Sequence, residues 1–172
     1  MTTQQVLLVS LAYLIALCAV VYFTRATARR VIGALVGGAV VSVMGVAAIR
    51  LGEGQGWWHV PFATTPYFLS LFYLGLGISV EPIYLVTWRV ARRFGWRGLA
   101  VFVGVVGIVG PPRDYGYAAM FPAWMVFAPG VVPILADGAI YVLIVVVGHA
   151  VMRVVAGPAG ADRLARDPKV PA

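Results

Sequence analysis

The sequence predicts an all-α integral membrane protein, a compact bundle of five transmembrane helices, and three observations support this. Hydrophobic residues make up 62% of the 172 residues and charged residues only 11%, with a mean hydropathy of +0.93. A protein that covers its own surface with polar groups is rarely so apolar. Five apolar runs lie between charges or turn residues, and the arginines cluster beside those runs. The solvent for most of this surface is therefore lipid.

The first two spans form a tight helical hairpin. They run from about 6 to 23 and from 31 to 48, and the short basic segment TRATARR joins them. A hydrocarbon core about 30 Å thick needs roughly 20 helical residues, so each run is long enough to cross it. The third span, about 67–88, is followed by the basic segment RVARRFGWR. Together with the remaining runs these make one transmembrane domain, 1–156, with a flexible cytoplasmic tail, 157–172.

The fourth and fifth spans, about 97–111 and 131–155, differ in length. The fourth covers only about 22 Å, so it requires local thinning of the bilayer or burial in protein. The connection PPRDYGYAAMFPAWMVFAP is too aromatic for a water-exposed loop and too rich in proline for a span. It predicts an interfacial or re-entrant aromatic segment between helices 4 and 5.

The distribution of basic residues predicts the topology, with the N-terminus outside and the C-terminus cytoplasmic. In this layout eleven basic residues are cytoplasmic and only Arg50 and Arg113 are outside, as the positive-inside rule requires. Omitting the short fourth span would move the basic tail to the wrong side. The cytoplasmic set is Arg25, Arg29, Arg30, Arg89, Arg92, Arg93, Arg97, Arg153, Arg163, Arg166 and Lys169.

The net charge of +7 is explained by this topology and does not indicate nucleic acid as a partner. Membrane lipids are the expected partners, because cations at the cytoplasmic face lie among anionic headgroups. Twelve arginines against one lysine, with abundant Ala, Val and Gly, are typical of a GC-rich bacterial genome. The predicted location is therefore the bacterial inner (plasma) membrane, with several passes.

Small residues form two stripes that permit close contact between helices. Gly33 and Gly37 form a GxxxG pair, and Gly104, Gly107 and Gly110 recur at every third position of the fourth span. We expect these stripes to pack within the chain. A homo-oligomer or a partner in a membrane complex is the alternative.

Three ionisable residues fall inside the spans, where charges are costly and usually face the bundle or a wet cavity. At 1.5 Å per residue, Glu81 lies about 21 Å below the outer edge of its span, Asp137 about 9 Å and His149 about 27 Å. These depths predict an inner pair of Glu81 with His149. Tyr84 supports this pair, since it lies three residues after Glu81 on the same helical face. Such a pair is suited to proton transfer, or it only joins two helices.

An outer cluster is predicted around Asp137, with Tyr141 one turn below it and the neighbouring residues Arg113 and Asp114 opposite. An ion pair between Asp137 and Arg113 would dock the aromatic segment onto the bundle. As a binding site, the cluster offers acids, a guanidinium and aromatic walls, which suit an amphipathic lipid or isoprenoid. Glu81, Asp137 and His149 are thus the candidate catalytic residues, and Arg113, Asp114, Tyr84 and Tyr141 the candidate substrate-binding residues.

No metal or cofactor is predicted. Retinal requires an intramembrane lysine, whereas the single lysine, Lys169, is in the tail. The two histidines, His59 and His149, lie too far apart in depth to ligate one haem iron, and no cluster has zinc spacing. The lone Cys18 excludes a CxxC redox pair, and no nucleotide-binding glycine loop occurs.

Three functions are compatible with this sequence. The first is a membrane-embedded acid/base enzyme or binding protein for a lipid or isoprenoid. The second is an accessory structural subunit of a larger membrane complex, in which the polar residues only hold helices together. The third is a small proton-coupled carrier. It is the least favoured of the three, because transporter folds are usually built from two matching halves and the five spans show none.

Overall fold

The computed structural model of the chain describes residues 3–61 and 77–159, and these are mostly helical. The prediction of an all-α fold is confirmed, and three described helices, α2, α3 and α4 below, are long and apolar enough to cross a membrane. The predicted residues 67–76 of the third span and 160–172 of the tail lie outside the described parts. The elements are α1 (Thr3–Thr24), α2 (Ala28–Gly54), β1 (Trp58–His59), α3 (Ile78–Met120), β2 (Val126–Phe127) and α4 (Val131–Ala156).

The connection between α1 and α2 is as short as the sequence predicts. Arg25 adopts a left-handed conformation with φ 50°, which ends α1. The hydroxyl of Thr24 donates to the carbonyl of Val20 at 2.6 Å, which satisfies one carbonyl of the last turn. α2 extends past the predicted end at 48 to Gly54. A charge such as Arg50 marks where the bilayer ends, but helical hydrogen bonding continues into the interface.

α3 is interrupted at Gly95, whose φ of 64° and ψ of −157° are not helical. This backbone region is open almost only to glycine. The interruption divides α3 into two helical parts, α3a (78–94) and α3b (96–120). It falls within the basic segment that the sequence places between the third and fourth spans.

The two parts of α3 contact α4 in opposite order along the chain. Along α3a, the contacts move towards the C-terminus of α4 as the residue number rises. Along α3b, they move back towards the N-terminus of α4. The chain therefore runs along α4 in one direction before Gly95 and in the other direction after it. The contacts, in chain order, are Tyr84 with Ile144, Thr87 with His149, Leu99 with Met152 across a shared cavity, Gly107 with Val142, and Asp114 with Tyr141.

The predicted fourth span ends at 111, but the helix continues to Met120, so residues 112–120 of the predicted interfacial or re-entrant segment are helical. Pro111 and Pro112 lie inside α3b instead of ending it. A proline removes the hydrogen bond to the carbonyl four residues earlier, which for Pro111 is that of Gly107. This carbonyl is packed against Gly138 of α4, where an added Cβ would lie 2.9 Å from it. Contact with a neighbouring helix is how membrane helices tolerate proline.

Glycine brings α2 and α4 into backbone contact. An added Cβ at Gly37 would lie 2.8 Å from the carbonyl oxygen of Gly148, and one at Gly33 would lie 3.1 Å from that of Met152. In α3b, Gly107 and Gly110 also face α4, whereas Gly104 has no neighbour within 4 Å. Most glycines of both stripes thus pack within the chain. The fully buried side chains of the core include Val41, Tyr84, Leu85, Trp88, Val145 and Met152.

Two loops join at the opposite end of the bundle from the basic segments, and we call them the outer cap (55–61 and 121–130). Strands β1 and β2 pair antiparallel, with Trp58 opposite Phe127. The indole of Trp58 fills the space left by Gly52 and donates to the carbonyl of Ile49 at 3.3 Å. Glu53 accepts a hydrogen bond from the backbone N–H of Val60 at 3.1 Å. The sequence did not indicate these strands, because each has only two residues.

Candidate functional sites

The outer cluster brings α3b and α4 together through a hydrogen bond between side chains. The hydroxyl of Tyr141 donates to Oδ1 of Asp114 at 2.8 Å, and Nε of Arg113 lies 3.7 Å from the same oxygen. These three predicted residues are therefore in one place. A hydrogen bond from Tyr141 and the nearby positive charge of Arg113 together orient Asp114.

Asp137 lies one turn before Tyr141 on α4 and is only 6% exposed. Its Oδ2 is buried and has no hydrogen-bond partner among the described residues. The predicted ion pair with Arg113 is not formed within 4.0 Å, and the described carboxylate beside Arg113 is Asp114. A neighbour on the same helix reaches the guanidinium without crossing to α4.

The outer cap lies beside this cluster. Tyr115 stacks on Phe127 with ring centroids 4.1 Å apart, and its hydroxyl is buried without a described partner. Ala136 and Ile140 of α4 pack against the cluster of buried residues around Trp58. The α4 face next to Asp137 is therefore covered by aromatic rings of the cap.

Glu81 is separated from His149, so the predicted inner pair is not formed. The Glu81 side chain is 5% exposed and lies against α2, where an added Cβ at Gly38 would be 3.0 Å from its Cγ. Its Oε2 is buried without a hydrogen-bond partner in the described parts of the chain. Tyr84 is fully buried beyond it and donates to the carbonyl of Ile144 at 3.2 Å.

The side-chain partner of His149 is Thr87, which sequence reasoning missed. Oγ1 of Thr87 lies 2.8 Å from Nδ1 of His149 and donates to the carbonyl of Tyr84, also at 2.8 Å. A hydroxyl has one hydrogen and two lone pairs. With its hydrogen on the carbonyl, Oγ1 accepts the hydrogen of Nδ1, so Nε2 of His149 is left for another partner.

A cavity of about 250 Å³ lies at the end of the bundle that carries the arginines, and we call it the basic cavity. Arg30 forms part of its wall at 2% exposure, and its guanidinium donates to the carbonyls of Gly157 at 2.7 Å and Pro158 at 2.8 Å. The same guanidinium lies 5.3 Å from the ring centroid of Trp88. The remaining wall includes Trp96, Leu99, His149, Met152 and Arg153.

The sequence placed Arg30 in a cytoplasmic loop, but a signal for its burial is present. It lies three and seven residues before Gly33 and Gly37, on the same face of α2 as this GxxxG pair. A basic residue that continues a glycine stripe faces the neighbouring helix, not the solvent. This spacing distinguishes it from a residue that only marks topology.

No group of three His, Cys, Asp or Glu side chains in the described parts of the chain is arranged to hold a metal ion. No protein-family model, curated protein or solved structure matches the chain. The arguments for function therefore come from the geometry of the outer cluster and the basic cavity.

Proposed function

We propose that the protein binds an amphipathic lipid or isoprenoid at the outer cluster and carries out acid–base chemistry on it. The observation that carries this proposal is the buried Oδ2 of Asp137, which has no described partner and lies one helical turn from the Asp114–Tyr141 hydrogen bond. A buried polar atom without a partner is costly and rare in native structures. An acid inside a membrane protein is retained for function more often than for stability.

The two acids differ in what already binds them, which divides their roles. Asp114 is held by Tyr141 and Arg113, so it is suited to orienting a polar group of the substrate. Asp137 has an oxygen available within the cluster, so it is the group that takes or gives a proton. Glu81 and His149 are not in contact with this cluster and have no step in the proposed reaction.

The surroundings of the cluster favour an amphipathic substrate. The rings of Tyr115 and Phe127 lie on one side, and the apolar faces of α3b and α4 supply the rest of the wall. Apolar walls with a few fixed polar groups are typical of sites for largely apolar ligands. A substrate of this kind reaches the cluster from the bilayer, without passing through water.

In this proposal the chain crosses the bacterial inner (plasma) membrane five times, with the N-terminus outside. Two observations support five passes. With five passes, the basic residues fall in the cytoplasmic connections and the tail, as the positive-inside rule requires. The contacts of α3 with α4 also reverse direction at Gly95. The basic end is then cytoplasmic and the outer cap faces the other side.

The test is native mass spectrometry of the protein released from lipid nanodiscs, after purification from its own host. We expect wild-type protein to carry a lipid or isoprenoid in stoichiometric amount. We expect Asp137→Asn to carry a ligand of different mass, because the variant binds the substrate but does not convert it. Glu81→Gln is the matched control, since it changes another buried carboxyl outside the cluster and should leave the ligand as in wild type.

Two results would contradict the proposal. Stoichiometric polypeptides without any small ligand would favour the accessory subunit of a membrane complex. A change of ligand with Glu81→Gln but not with Asp137→Asn would move the chemistry to the inner residue.

A further inference from the structure

We propose that the basic cavity binds the phosphate group of an anionic membrane lipid. Two arginines and a histidine line it, Arg30, Arg153 and His149, and none of its described lining residues is acidic. A phosphate is bound best by several fixed cations and N–H donors together. This site is separate from the outer cluster and its proposed chemistry.

Arg30 is held in place before any ligand arrives. Its bonds to the carbonyls of Gly157 and Pro158 fix the guanidinium, and its contact with Trp88 restricts it further. These bonds orient the guanidinium in the cavity wall. A preorganised cation loses less entropy on binding than a flexible surface residue does.

Trp88 of the cavity wall carries a further donor. Trp88 is only 1% exposed, and its Nε1 is buried without a hydrogen-bond partner in 3–61 and 77–159. An indole N–H only donates, so it requires an acceptor that these residues do not supply. In this proposal an oxyanion in the cavity supplies that acceptor.

The size and position of the cavity favour a lipid headgroup. Its volume of about 250 Å³ is below the range of about 300–1,000 Å³ that encloses a whole drug-sized ligand. It therefore holds a phosphate while the acyl chains stay outside. Trp96 of the same wall is 74% exposed, so the cavity opens beside a lipid-facing surface. Tryptophans are enriched at membrane–water interfaces. Anionic lipids are enriched in the cytoplasmic leaflet, where the proposed topology places this cavity.

The site does not depend on the outer cluster. Asp137 and Arg153 are sixteen residues apart on α4, which separates them by about 24 Å along the helix. Loss of lipid from the basic cavity and loss of turnover at the outer cluster are therefore separable by mutation.

The experiment measures retention of phosphatidylglycerol by native mass spectrometry, from nanodiscs of phosphatidylcholine with increasing fractions of phosphatidylglycerol. We expect wild-type protein to retain one phosphatidylglycerol, and Arg153→Gln to weaken this retention about tenfold, as expected for loss of one charge-assisted contact. Trp88→Phe keeps the ring and removes the Nε1 donor, and should weaken retention less, by about threefold.

Arg97→Gln is the matched control, because Arg97 is an exposed arginine at the same end of the bundle that does not line the basic cavity. It should retain phosphatidylglycerol as wild type does. Equal losses in Arg97→Gln and Arg153→Gln would overturn the proposal, since they would indicate general attraction to the membrane surface. Absence of preference for phosphatidylglycerol over phosphatidylcholine in wild type would overturn it as well.

A second arm distinguishes a lipid from a free phosphate. Inorganic phosphate and glycerol 1-phosphate are added to the nanodiscs at millimolar concentration. We expect neither to displace phosphatidylglycerol, because the bilayer keeps lipid headgroups at a high local concentration beside the cavity, whereas the soluble compounds are dilute. Displacement by inorganic phosphate would overturn the assignment to a lipid. Unchanged thermal unfolding of Arg153→Gln, whose side chain is exposed, shows that the variant is folded.

Discussion

The two ends of the bundle are held together in different ways. Towards the basic end, helices meet at glycines, and backbone lies directly on backbone or on a buried ring, as where Gly37 meets Gly148. At the outer end, loops contact helices through aromatic side chains, as where Phe127 stacks on Tyr115. Beside them, α3b and α4 are joined by the hydrogen bond of Tyr141 with Asp114. The first kind of contact has no tolerance for an added atom. The second can separate locally without disturbing the helices.

The largest effect is expected at Gly148. A methyl group there would overlap the ring of Tyr84, which is fully buried and cannot move aside. We expect Gly148→Ala to lower the free energy of unfolding by about 3 kcal/mol, the upper part of the usual range for overpacking. Unfolding in detergent followed by circular dichroism measures this.

Gly104→Ala is the control for Gly148→Ala. Gly104 belongs to the stripe in α3b but has no described neighbour within 4 Å. Its substitution should leave stability unchanged or raise it by about 0.5–1 kcal/mol, since alanine favours a helix more than glycine does. Similar losses for the two variants would show that the glycines act through the backbone and not through close contact.

A smaller effect, confined to the outer cap, is expected at Gly52. An added methyl group would occupy the place of the Trp58 indole, so Gly52→Ala should displace this ring. We expect a loss of about 2 kcal/mol in the local stability of the cap. Hydrogen exchange measured by mass spectrometry should become faster in 55–61 and in 121–130, but not in α2 and α4.

The neighbouring Gly54 provides the comparison for this variant, because no atom of the described residues lies within 4 Å of a Cβ added there. Gly54→Ala should leave exchange in the cap unchanged. Faster exchange throughout the bundle in Gly52→Ala would mean that the cap is required for the whole fold, contrary to the difference between the two ends.

The smallest effect is expected from Tyr141→Phe, which removes the hydrogen bond to Asp114. A single hydrogen bond of this kind contributes about 1 kcal/mol, and the ring that packs against Gly110 is retained. Thermal unfolding should show this small loss. Tyr117→Phe, at a residue 48% exposed, should show none, and equal losses would exclude a specific role for the bond.

The sequence was sufficient for the helical class and for the short connection between α1 and α2, because hydrophobicity and charge act along the chain. The predicted tight hairpin is wrong, since α1 packs mainly against α3 and not along α2. The sequence was also insufficient at Pro111 and Pro112, since tolerance of a proline depends on which helix lies beside it. Here that neighbour is Gly138, 27 residues later in the chain than Pro111. Helix lengths were also underestimated where a charge marks the bilayer surface but the helix continues beyond it, as α2 does past Arg50.

Depth alone could not identify the partners of the buried polar residues. Glu81 and Thr87 lie on the same helix, about 9 Å apart along its axis, and contact different neighbours. Residue spacing gives the depth of a side chain, but the direction in which it faces depends on the packed neighbours. The position of Asp114 beside Tyr141 was easier to predict, because both residues were expected at the outer end.

The reversal at Gly95 has a consequence for biosynthesis. In the proposed topology, one residue separates two helices of opposite direction, and the arginines of RVARRFGWR surround it. In that topology we expect α3a and α3b to insert into the lipid as a pair, with the surrounding arginines on the cytoplasmic side. A residue with no side chain thus decides how this part of the protein is delivered to the membrane.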